Sequence, residues 1–380
     1  MQPHRSTRIL ILCSLDQSLI NFRQDMMLTL IANDYTVFAA APDFEDTTSA
    51  ELKNIGVVPI AYKLERTGLN PWKDLNSIID IRNIIVKNKI DILFPYTIKP
   101  VIYGSIAGRL TGISVISLIT GLGFTFSKSS RRAHILQKVT ELLYKISIAK
   151  NKAVIFQNED DLQLFRQKRI LSKKQMAHIV DGSGINLENY RFRQNSNDSK
   201  RIVFVLVARL IREKGVELFI EAAKTLKKEF PEAEFHLIGE PDLSVSAVST
   251  EKLERLHNNN IIVYHGFQQN ISHFLTSSDV FVLPTYYREG IPRSILEALS
   301  IGMPIITTNT PGCKETVTNK ENGFLIEPNK LPPLTAAIRY FLENPGTIQP
   351  MGIRSRKLAE ERFNVEIINK KILGIINDNI

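Results

Sequence analysis

The sequence is poor in cysteine and has no long apolar run. Only two cysteines occur in 380 residues, Cys13 and Cys313, and their wide separation offers neither a disulfide framework nor a cluster of metal ligands. No stretch reaches the roughly 18 consecutive apolar residues of a membrane-spanning helix. The polar first residues run directly into a strand-like segment, without the apolar core of a signal peptide. We therefore expect the chain to remain in the cytoplasm.

Signatures of metal binding and nucleic-acid binding are also missing. The seven histidines form no His-x-x-x-His or similar pair, and no Asp-x-Asp motif occurs, so we predict no metal site. The sequence contains no helix-turn-helix, zinc-finger or aromatic RNA-binding signature. Nucleic acid is therefore not an expected partner.

Length and charge point to two domains with different surfaces. A chain of 380 residues exceeds what one core ordinarily holds, and 43% apolar and 23% charged residues are typical of a globular protein. Residues 1–195 carry 26 Lys and Arg against 17 Asp and Glu, whereas residues 196–380 carry 22 of each. An anionic membrane surface or a diphosphate-bearing acceptor would account for this basic N-terminal half.

Continuous apolar runs of strand length alternate with segments of helical spacing in both halves of the chain. Because strands buried on both faces lack polar alternation, these runs indicate parallel sheets covered by helices. The runs are RILILCS (8–14), YTVFAAA (35–41), IDILFPY (90–96), VISLIT (115–120), AVIFQ (153–157), RIVFVLV (201–207), EFHLIG (234–239), IIVYH (261–265), VFVLP (280–284) and PIITT (304–308). The polar segment 187–200 has the composition of an inter-domain hinge. The predicted fold class is α/β, with two doubly wound, Rossmann-like domains.

The segment REGIPRSILEALSIGMPIITT, residues 288–308, reads as a loop, a short helix and a buried strand. Pro292 suits the first helical turn, where its missing N–H would have no partner in any case. Glu289 lies in the loop and Glu297 in the helix, so both side chains can face a ligand over the positive N-terminal end of the helix. A diphosphate is the ligand that such an end favours.

Together with Arg209 and Lys214 in VARLIREKGVELFIEAA and the later PGCKETV, this segment resembles the donor site of the family 4 retaining glycosyltransferases. The resemblance is close over about residues 200–328 and loose over the N-terminal half. It implies the GT-B architecture, in which two such domains face each other across a cleft. Residues 1–187 would form the acceptor domain, residues 188–365 the donor domain, and residues 366–380 a helix returning to the first domain.

The resemblance also implies the roles of individual donor-site residues. Arg209 and Lys214 would flank the diphosphate of a UDP-sugar and replace a metal ion, while Glu297 would hold the ribose and Glu289 a sugar hydroxyl. Glu289, Arg209 and Lys214 are thus the predicted catalytic residues, and neither a cofactor nor a metal is expected. The full predicted donor site comprises Arg209, Lys214, Glu289, Gly290, Ile291, Arg293, Ser294, Ile295 and Glu297.

The predicted acceptor residues follow strands of the first domain. Many relatives carry a Gly-Gly turn after the first strand, but the loop here, LDQSLINFRQD, has no glycine. Asn21 and Arg23 would meet the acceptor by their side chains, or belong to an ordinary helix start. Lys99 follows another strand and is either an anion contact or a solvated lysine. Thr120 stands where relatives have a histidine, and Gly121 follows it.

Residues 128–152 read as a basic amphipathic helix. They contain seven Lys and Arg and one acidic residue, and their apolar positions recur every three or four residues. Two interpretations remain open: a helix packed on the sheet with a solvated basic edge, or a contact with an anionic membrane.

The resemblance implies a retaining, metal-independent transferase. It would move a hexose or N-acetylhexosamine from a UDP-sugar to a lipid-linked (undecaprenyl diphosphate) or polysaccharide acceptor in surface glycan synthesis. The segments FRQDMMLTL, TGLGFTF and REGIPRSILEAL most resemble N-acetylgalactosamine transferases of this kind. Such an enzyme would associate with the inner face of the plasma membrane. The alternatives are a nucleotide-sugar epimerase of the same fold and a non-catalytic sugar-nucleotide-binding partner.

Overall fold

The computed structural model describes residues 6–65, 68, 70–123, 131–193, 201–241 and 246–379. Contacts within the chain define two compact units, one formed by Met1–Ser183 with Val365–Ile380 and the other by Gly184–Asn364. The first unit ends at Ser183 rather than at residue 187, and the chain rejoins it at Val365 rather than at residue 366. Each unit has apolar cores of its own.

The first unit is built on a parallel sheet. Its strands are β1 (Arg8–Leu12), β2 (Thr36–Ala41), β3 (Val58–Ala61), β4 (Ile92–Pro95), β5 (Ser114–Ile119), β6 (Ala153–Phe156) and β7 (Ala177–Ile179). They lie in the order β3-β2-β1-β4-β5-β6-β7. In this register Ile9 lies beside Val37 of β2 and Ile92 of β4. The strands that the sequence showed as apolar runs are the buried ones, because helices cover both of their faces.

Helices connect these strands and form a layer on each face of the sheet. They are α1 (Gln17–Ala32), α2 (Asp46–Asn54), α3 (Pro71–Lys87), α4 (Ile98–Thr111), α5 (Arg131–Ser147) and α6 (Glu159–Gln167). Helices α3, α4 and α5 share a core with Leu10 and Leu12. Helices α1 and α2 share another core with Ile9 and Ile11. Because successive residues of a strand face opposite ways, the two helix layers lie on opposite faces.

The second unit repeats this plan. Its strands are β8 (Val203–Val207), β9 (Glu234–Ile238), β10 (Val263–Tyr264), β11 (Val280–Leu283), β12 (Ile305–Thr308) and β13 (Gly323–Ile326). They form a parallel sheet in the order β10-β9-β8-β11-β12-β13. Its helices are α7 (Val216–Leu226), α8 (Thr250–Asn258), α9 (Ser272–Thr276), α10 (Arg293–Ile301), α11 (Leu331–Glu343) and α12 (Ile348–Leu358).

A final helix, α13 (Val365–Asn377), returns to the first unit. It contributes Ile368 and Ile372 to the core that contains α1. The chain enters and leaves the second unit at adjacent positions. The Ile185 amide donates to the Phe363 carbonyl at 2.8 Å, and Ile185 forms a parallel bridge with Asn364.

Both sheets have a topological switch point. Strand order reverses between β1 and β4 in the first unit and between β8 and β11 in the second. Ligands of open parallel sheets bind outside the carboxyl ends of the strands at such points. The two doubly wound sheets confirm the predicted α/β fold class. Within the described residues, no helix is both long enough and apolar enough to cross a membrane.

Helix α5 turns its apolar side away from the sheet. The predicted helix 128–152 is shorter than expected, since α5 ends at Ser147 and a 3-10 turn follows over Ile148–Lys150; residues 128–130 lie outside the described residues. The inward side chains are largely polar, and the outward ones are aliphatic. Buried are Gln137, Thr140, Glu141, Tyr144 and Ser147, whereas Ile135, Val139, Leu142 and Ile146 are exposed. The packing interpretation of the amphipathic pattern therefore does not explain the apolar stripe.

Candidate active site

The switch point of the second unit brings together two of the predicted cations. Arg209 follows β8, and Lys214 ends the 3-10 turn Arg212–Lys214 before α7. The loop after β11 carries Glu289, whose carboxylate forms an ion pair with the Lys214 ammonium at 2.5 Å. Their side chains are only 11% and 13% exposed. The structure brings Lys214 and Glu289 into direct contact, which the sequence did not predict.

Hydrogen bonds hold the two loops of this crevice in register. The Thr285 hydroxyl donates to the Glu213 carbonyl at 2.9 Å. The amides of Tyr286 and Tyr287 donate to the same carbonyl at 2.9 and 3.1 Å. The Thr285 hydroxyl also lies 3.4 Å from Glu289 Oε1. The position of Glu289 is therefore fixed by backbone contacts as well as by Lys214.

Tyr287 is a site residue that sequence reasoning missed. The Arg209 guanidinium carbon lies 5.8 Å from the centre of its ring, and the Lys214 ammonium lies 5.7 Å from the same centre. Both distances are within the range of cation–π attraction. One aromatic ring thus sets the spacing of two cations that would otherwise repel each other. In the sequence, only the position of Tyr287 two residues before Glu289 indicated that it belongs to the site.

Two glycines allow the close approach of the loops. Gly215 has φ +77°, and a Cβ there would overlap the Pro284 carbonyl oxygen. Gly312, in the PGC segment, has φ +84°, and a Cβ there would overlap the carbonyl oxygen of Gly290. Positive φ and lack of space both favour glycine at these positions. The downstream PGC segment therefore supports the loop that carries Glu289.

Helix α10 places Glu297 in a buried polar cluster. Glu297 is 6% exposed, and its Oε1 accepts hydrogen bonds from the Tyr190 hydroxyl at 2.9 Å and from Arg293 Nε at 3.3 Å. Burial raises the pKa of Glu297, while the Arg293 charge and both hydrogen bonds oppose that shift. Arg293 also donates from Nη1 to the Gly184 carbonyl at 3.1 Å. The cluster holds a carboxylate that two donors favour in its charged form.

The start of α10 differs in detail from the sequence prediction. The helix begins at Arg293, and Pro292 is its N-cap rather than a residue of its first turn. The Ile295 amide donates to the Pro292 carbonyl at 3.1 Å, so it is used within the helix and not presented to a ligand. Ile291 and Ile295 are core residues. A donor contact by either of them would involve main-chain atoms only.

The acceptor candidates near the first helix differ in exposure. Asn21 is exposed on α1. Arg23 is only 2% exposed, and its guanidinium carbon lies 5.0 Å from the centre of the Tyr96 ring. Its Nη1 donates to the Phe22 carbonyl at 3.1 Å. Arg23 therefore lies inside the first unit in this structure, rather than on the surface expected of an acceptor contact.

Lys99 is not a solvated lysine. Its side chain is 13% exposed and its ammonium lies 3.4 Å from the Asp74 carboxylate. It also donates to the Glu65 carbonyl at 2.7 Å. An anion would have to share Lys99 with Asp74. Thr120 and Gly121 directly follow β5, with Gly121 at φ +114°; the rest of that loop, from residue 124, lies outside the described residues.

A cavity in the first unit was not predicted. It has a volume of about 660 Å³ and lies beside the carboxyl ends of β2 and β3 and the first turns of α3. Its lining includes Tyr62, Lys63, Glu65, Lys73, Asn76 and Asp80. The sequence reasoning did not single out β3 or α3, so it assigned nothing to this region.

Neither cysteine is exposed, and no metal centre is evident in the described part of the chain. Cys13 and Cys313 are both fully buried. Burial raises the pKa of the Cys13 thiol to about 11 and that of the Cys313 thiol to about 12, so both remain protonated near neutral pH. Within the described ranges, no three His, Cys, Asp or Glu side chains lie together in a way that would hold a metal ion.

Comparisons with known proteins agree with the fold and with the sequence motifs. The family described as "Glycosyl transferases group 1" matches residues 188–358, and the family "Glycosyl transferase 4-like" matches residues 8–158. A solved structure of the Anabaena protein HepE with UDP-glucose superposes with a TM-score of 0.76 at 17% identity, covering 98% of this chain and 99% of that one. This likeness confirms the GT-B fold.

Two curated relatives extend over much of the chain. N,N'-diacetylbacillosaminyl-diphospho-undecaprenol alpha-1,3-N-acetylgalactosaminyltransferase of Campylobacter jejuni is 28% identical, covering 86% of this chain and 87% of its own length. UDP-Gal:alpha-D-GlcNAc-diphosphoundecaprenol alpha-1,3-galactosyltransferase of Escherichia coli is 31% identical, covering 68% of each chain. The chain therefore belongs to the glycosyltransferase family whose two halves are described as "Glycosyl transferase 4-like" and "Glycosyl transferases group 1".

Proposed function

We propose that the protein is a retaining, metal-independent transferase that moves a hexose or N-acetylhexosamine from a UDP-sugar to an undecaprenyl diphosphate-linked or polysaccharide acceptor. The observation that carries this proposal is the pair of cations, Arg209 and Lys214, arranged around Tyr287 at a topological switch point. The C. jejuni and E. coli relatives are named for acceptors on undecaprenol diphosphate. No described feature favours the epimerase or the non-catalytic alternative.

The charges at the crevice stabilise the diphosphate as it leaves the sugar. As the bond between sugar and diphosphate breaks, negative charge grows on the diphosphate, and Arg209 and Lys214 stabilise it by charge-assisted hydrogen bonds. Glu297 accepts hydrogen bonds from the ribose hydroxyls and so fixes the nucleotide. The Glu289 carboxylate binds a sugar hydroxyl while it remains paired with Lys214. UDP-sugar is a substrate, and no further cofactor enters this scheme.

We propose that retention occurs without a covalent intermediate on Glu289. The Glu289 carboxylate forms an ion pair with Lys214 and lies near the Thr285 hydroxyl. Both contacts make the carboxylate a weaker nucleophile. In the proposed step, the acceptor oxygen attacks the same face of the sugar that the diphosphate leaves. The acceptor proton passes to the departing diphosphate oxygen. The protein contributes orientation and charge stabilisation.

The test of this function is a transfer assay with defined substrates. Purified protein is incubated with single UDP-hexoses or UDP-N-acetylhexosamines and a short-chain lipid diphosphate sugar, and the product linkage is determined by NMR. We expect transfer of one sugar with its anomeric configuration retained. Interconversion of UDP-sugars without acceptor would instead establish an epimerase. Binding of UDP without turnover of any donor would establish a non-catalytic partner.

Metal independence is tested by chelation. We expect sugar transfer in excess EDTA to remain within about twofold of the untreated rate, because two side-chain cations neutralise the diphosphate. Initial rates are measured before and after chelation, with added Mg²⁺ or Mn²⁺ as the comparison. Loss of activity on chelation that either metal restores would contradict this part of the proposal.

We place the enzyme peripherally on the inner, anionic face of the plasma membrane, with no nucleic-acid partner. The support is the outward face of α5, where four exposed aliphatic side chains lie beside the exposed Lys138 and Lys145. An apolar stripe with a basic edge suits the boundary between acyl chains and anionic headgroups. Helix α3, in the same layer, exposes Trp72 and three aliphatic residues at helical spacing. These are Leu75, Ile79 and Val86.

A matched pair of double variants tests this surface. Lys138→Glu with Leu142→Ser should weaken binding to vesicles of anionic phospholipid by about tenfold or more, because one apolar side chain and two units of charge are lost from the contact. Sedimentation at low and high salt provides the measurement. High salt should reduce only the part of the binding loss that comes from the change in charge.

The control for this experiment lies in the second unit. Lys357→Glu with Ile353→Ser changes an exposed lysine and an exposed isoleucine at similar spacing. Lys138 lies 3.6 Å from Glu141 and Lys357 lies 3.6 Å from Glu361. The control should bind vesicles like the parent protein. Equal binding by both double variants would show that α5 does not contact the membrane.

A further inference from the structure

The segment that opens the second unit lies along helix α10, which carries Glu297. We call this segment, residues 184–193, the strap. At one end its Gly184 carbonyl accepts a hydrogen bond from Arg293 at 3.1 Å. At the other end its Arg193 amide donates to the Ile301 carbonyl at 3.0 Å. The strap thus follows α10 from its first residue to its last.

The middle of the strap is fixed just as firmly. The Tyr190 carbonyl accepts hydrogen bonds from the Ser300 hydroxyl at 2.6 Å and from Arg356 Nη1 at 3.1 Å. Ser300 lies one helical turn beyond Glu297 on α10. Tyr190 also packs against the apolar core of this part of the unit. Both the backbone and the ring of Tyr190 are therefore held before its hydroxyl makes any contact.

The Tyr190 hydroxyl donates to Glu297 Oε1 at 2.9 Å. The hydrogen bond from Arg293 reaches the same oxygen. With Oε1 held by two donors from different directions, the second carboxylate oxygen has one preferred place. A buried glutamate without such donors would change rotamer or take up a proton more easily, since burial disfavours its charge.

We propose that Tyr190 is a positioning residue for the donor nucleotide, acting through Glu297. It keeps the Glu297 carboxylate oriented so that the ribose hydroxyls of UDP can donate to it. This inference rests on the proposed function, which assigns the ribose to Glu297. Tyr190 itself touches neither the nucleotide nor the transferred sugar in this scheme.

The test measures how the parent protein and a variant without the Tyr190 hydroxyl bind two nucleotides. Tyr190→Phe keeps the ring and removes only the donor to Glu297. By calorimetry, it should weaken binding of UDP about tenfold, the effect of losing one hydrogen bond to a charged group. Binding of 2′,3′-dideoxy-UDP, which has no ribose hydroxyl to donate, should change by less than about twofold. In transfer assays KM for the UDP-sugar should rise more than kcat falls.

Two controls separate positioning from a general structural effect. Tyr340→Phe alters a tyrosine of the same unit whose ring packs against Phe324 and Phe341, and it should leave UDP binding unchanged. In a Glu297→Ala background, Tyr190→Phe should have no further effect, because residues that act through one group are not additive.

The outcomes also separate this inference from the proposed function. Equal binding of UDP and its dideoxy analogue by the parent protein would overturn both the ribose assignment and the role of Tyr190. If the parent discriminates between them, an unchanged Tyr190→Phe variant would overturn the role of Tyr190 alone. The same holds for a variant that weakens both nucleotides equally.

Discussion

Replacement of Lys214 by methionine is expected to lower kcat for sugar transfer by about 100-fold or more. In the proposed mechanism the variant removes one of two cations that stabilise the leaving diphosphate, an effect of the size seen when one preorganised donor is deleted. It also leaves the Glu289 carboxylate, 13% exposed, without its ion-pair partner in the same crevice. Steady-state kinetics with saturating UDP-sugar provide the measurement.

The control is another lysine of the same unit. Lys252 lies 3.0 Å from Glu217, so Lys252→Met also breaks a lysine–glutamate pair, but a more exposed one. It should change kcat by less than about twofold. A Lys214→Met variant with near-parental kcat would show that the Lys214–Glu289 pair is structural, and that Arg209 alone neutralises the diphosphate.

The second large effect is expected for Gly312→Ala. A Cβ at this position would overlap the Gly290 carbonyl oxygen, and its φ of +84° is unfavourable for alanine. The loop carrying Glu289 must therefore move. We expect a loss of about 2–4 kcal/mol in stability of the second unit, seen as a fall of roughly 5–15 °C in its thermal transition, together with reduced transfer activity.

Gly346 provides the matched glycine. A Cβ there would meet no atom within 4 Å, so Gly346→Ala should leave both the thermal transition and the activity close to those of the parent protein. If Gly312→Ala also leaves the thermal transition and the activity unchanged, the contact between Gly312 and Gly290 is not close in solution. The PGC segment would then not support the loop that carries Glu289.

The sequence was most informative where local pattern and burial agree. The strands β1, β4, β8 and β11 are apolar runs because helices cover both faces of their sheets, so the continuous runs alone identified them. The strand predictions required no knowledge of distant contacts. Lys214 and Glu289 were grouped differently, through the resemblance of their segments to the donor site of family 4 glycosyltransferases.

The residues that sequence reasoning missed depend on distant contacts. Tyr190 and Glu297 are 107 positions apart, and no periodicity connects them. Tyr287, in the loop after β11, contacts Arg209 only because the fold brings that loop close to the end of β8. Lys99 was expected to be solvated or to bind an anion, but Asp74 holds it. Long-range pairs of this kind require the fold to be known first.

Helix α5 shows another limit of pattern reading. Helical spacing identified two faces but did not reveal which one packs inward. On the inward face, Gln137 donates to Glu141 at 2.7 Å, and Glu141 lies 3.3 Å from the Lys168 ammonium. The hydrogen bond and the ion pair lower the cost of burying the Glu141 carboxylate. The aliphatic face is left for another contact.

The bridge between Ile185 and Asn364 gives the second unit the topology of a guest domain inserted in a host. Its two ends leave side by side, so removing or exchanging residues 184–364 would leave the host with a short gap to close. The inserted segment contains its own cores and both Lys214 and Glu297. In the proposed function, the residues that bind the donor nucleotide therefore lie in one inserted module, whereas the exposed apolar stripe of α5 belongs to the host. Exchange of this module between related enzymes would test whether the donor sugar changes while the exposed stripe is kept.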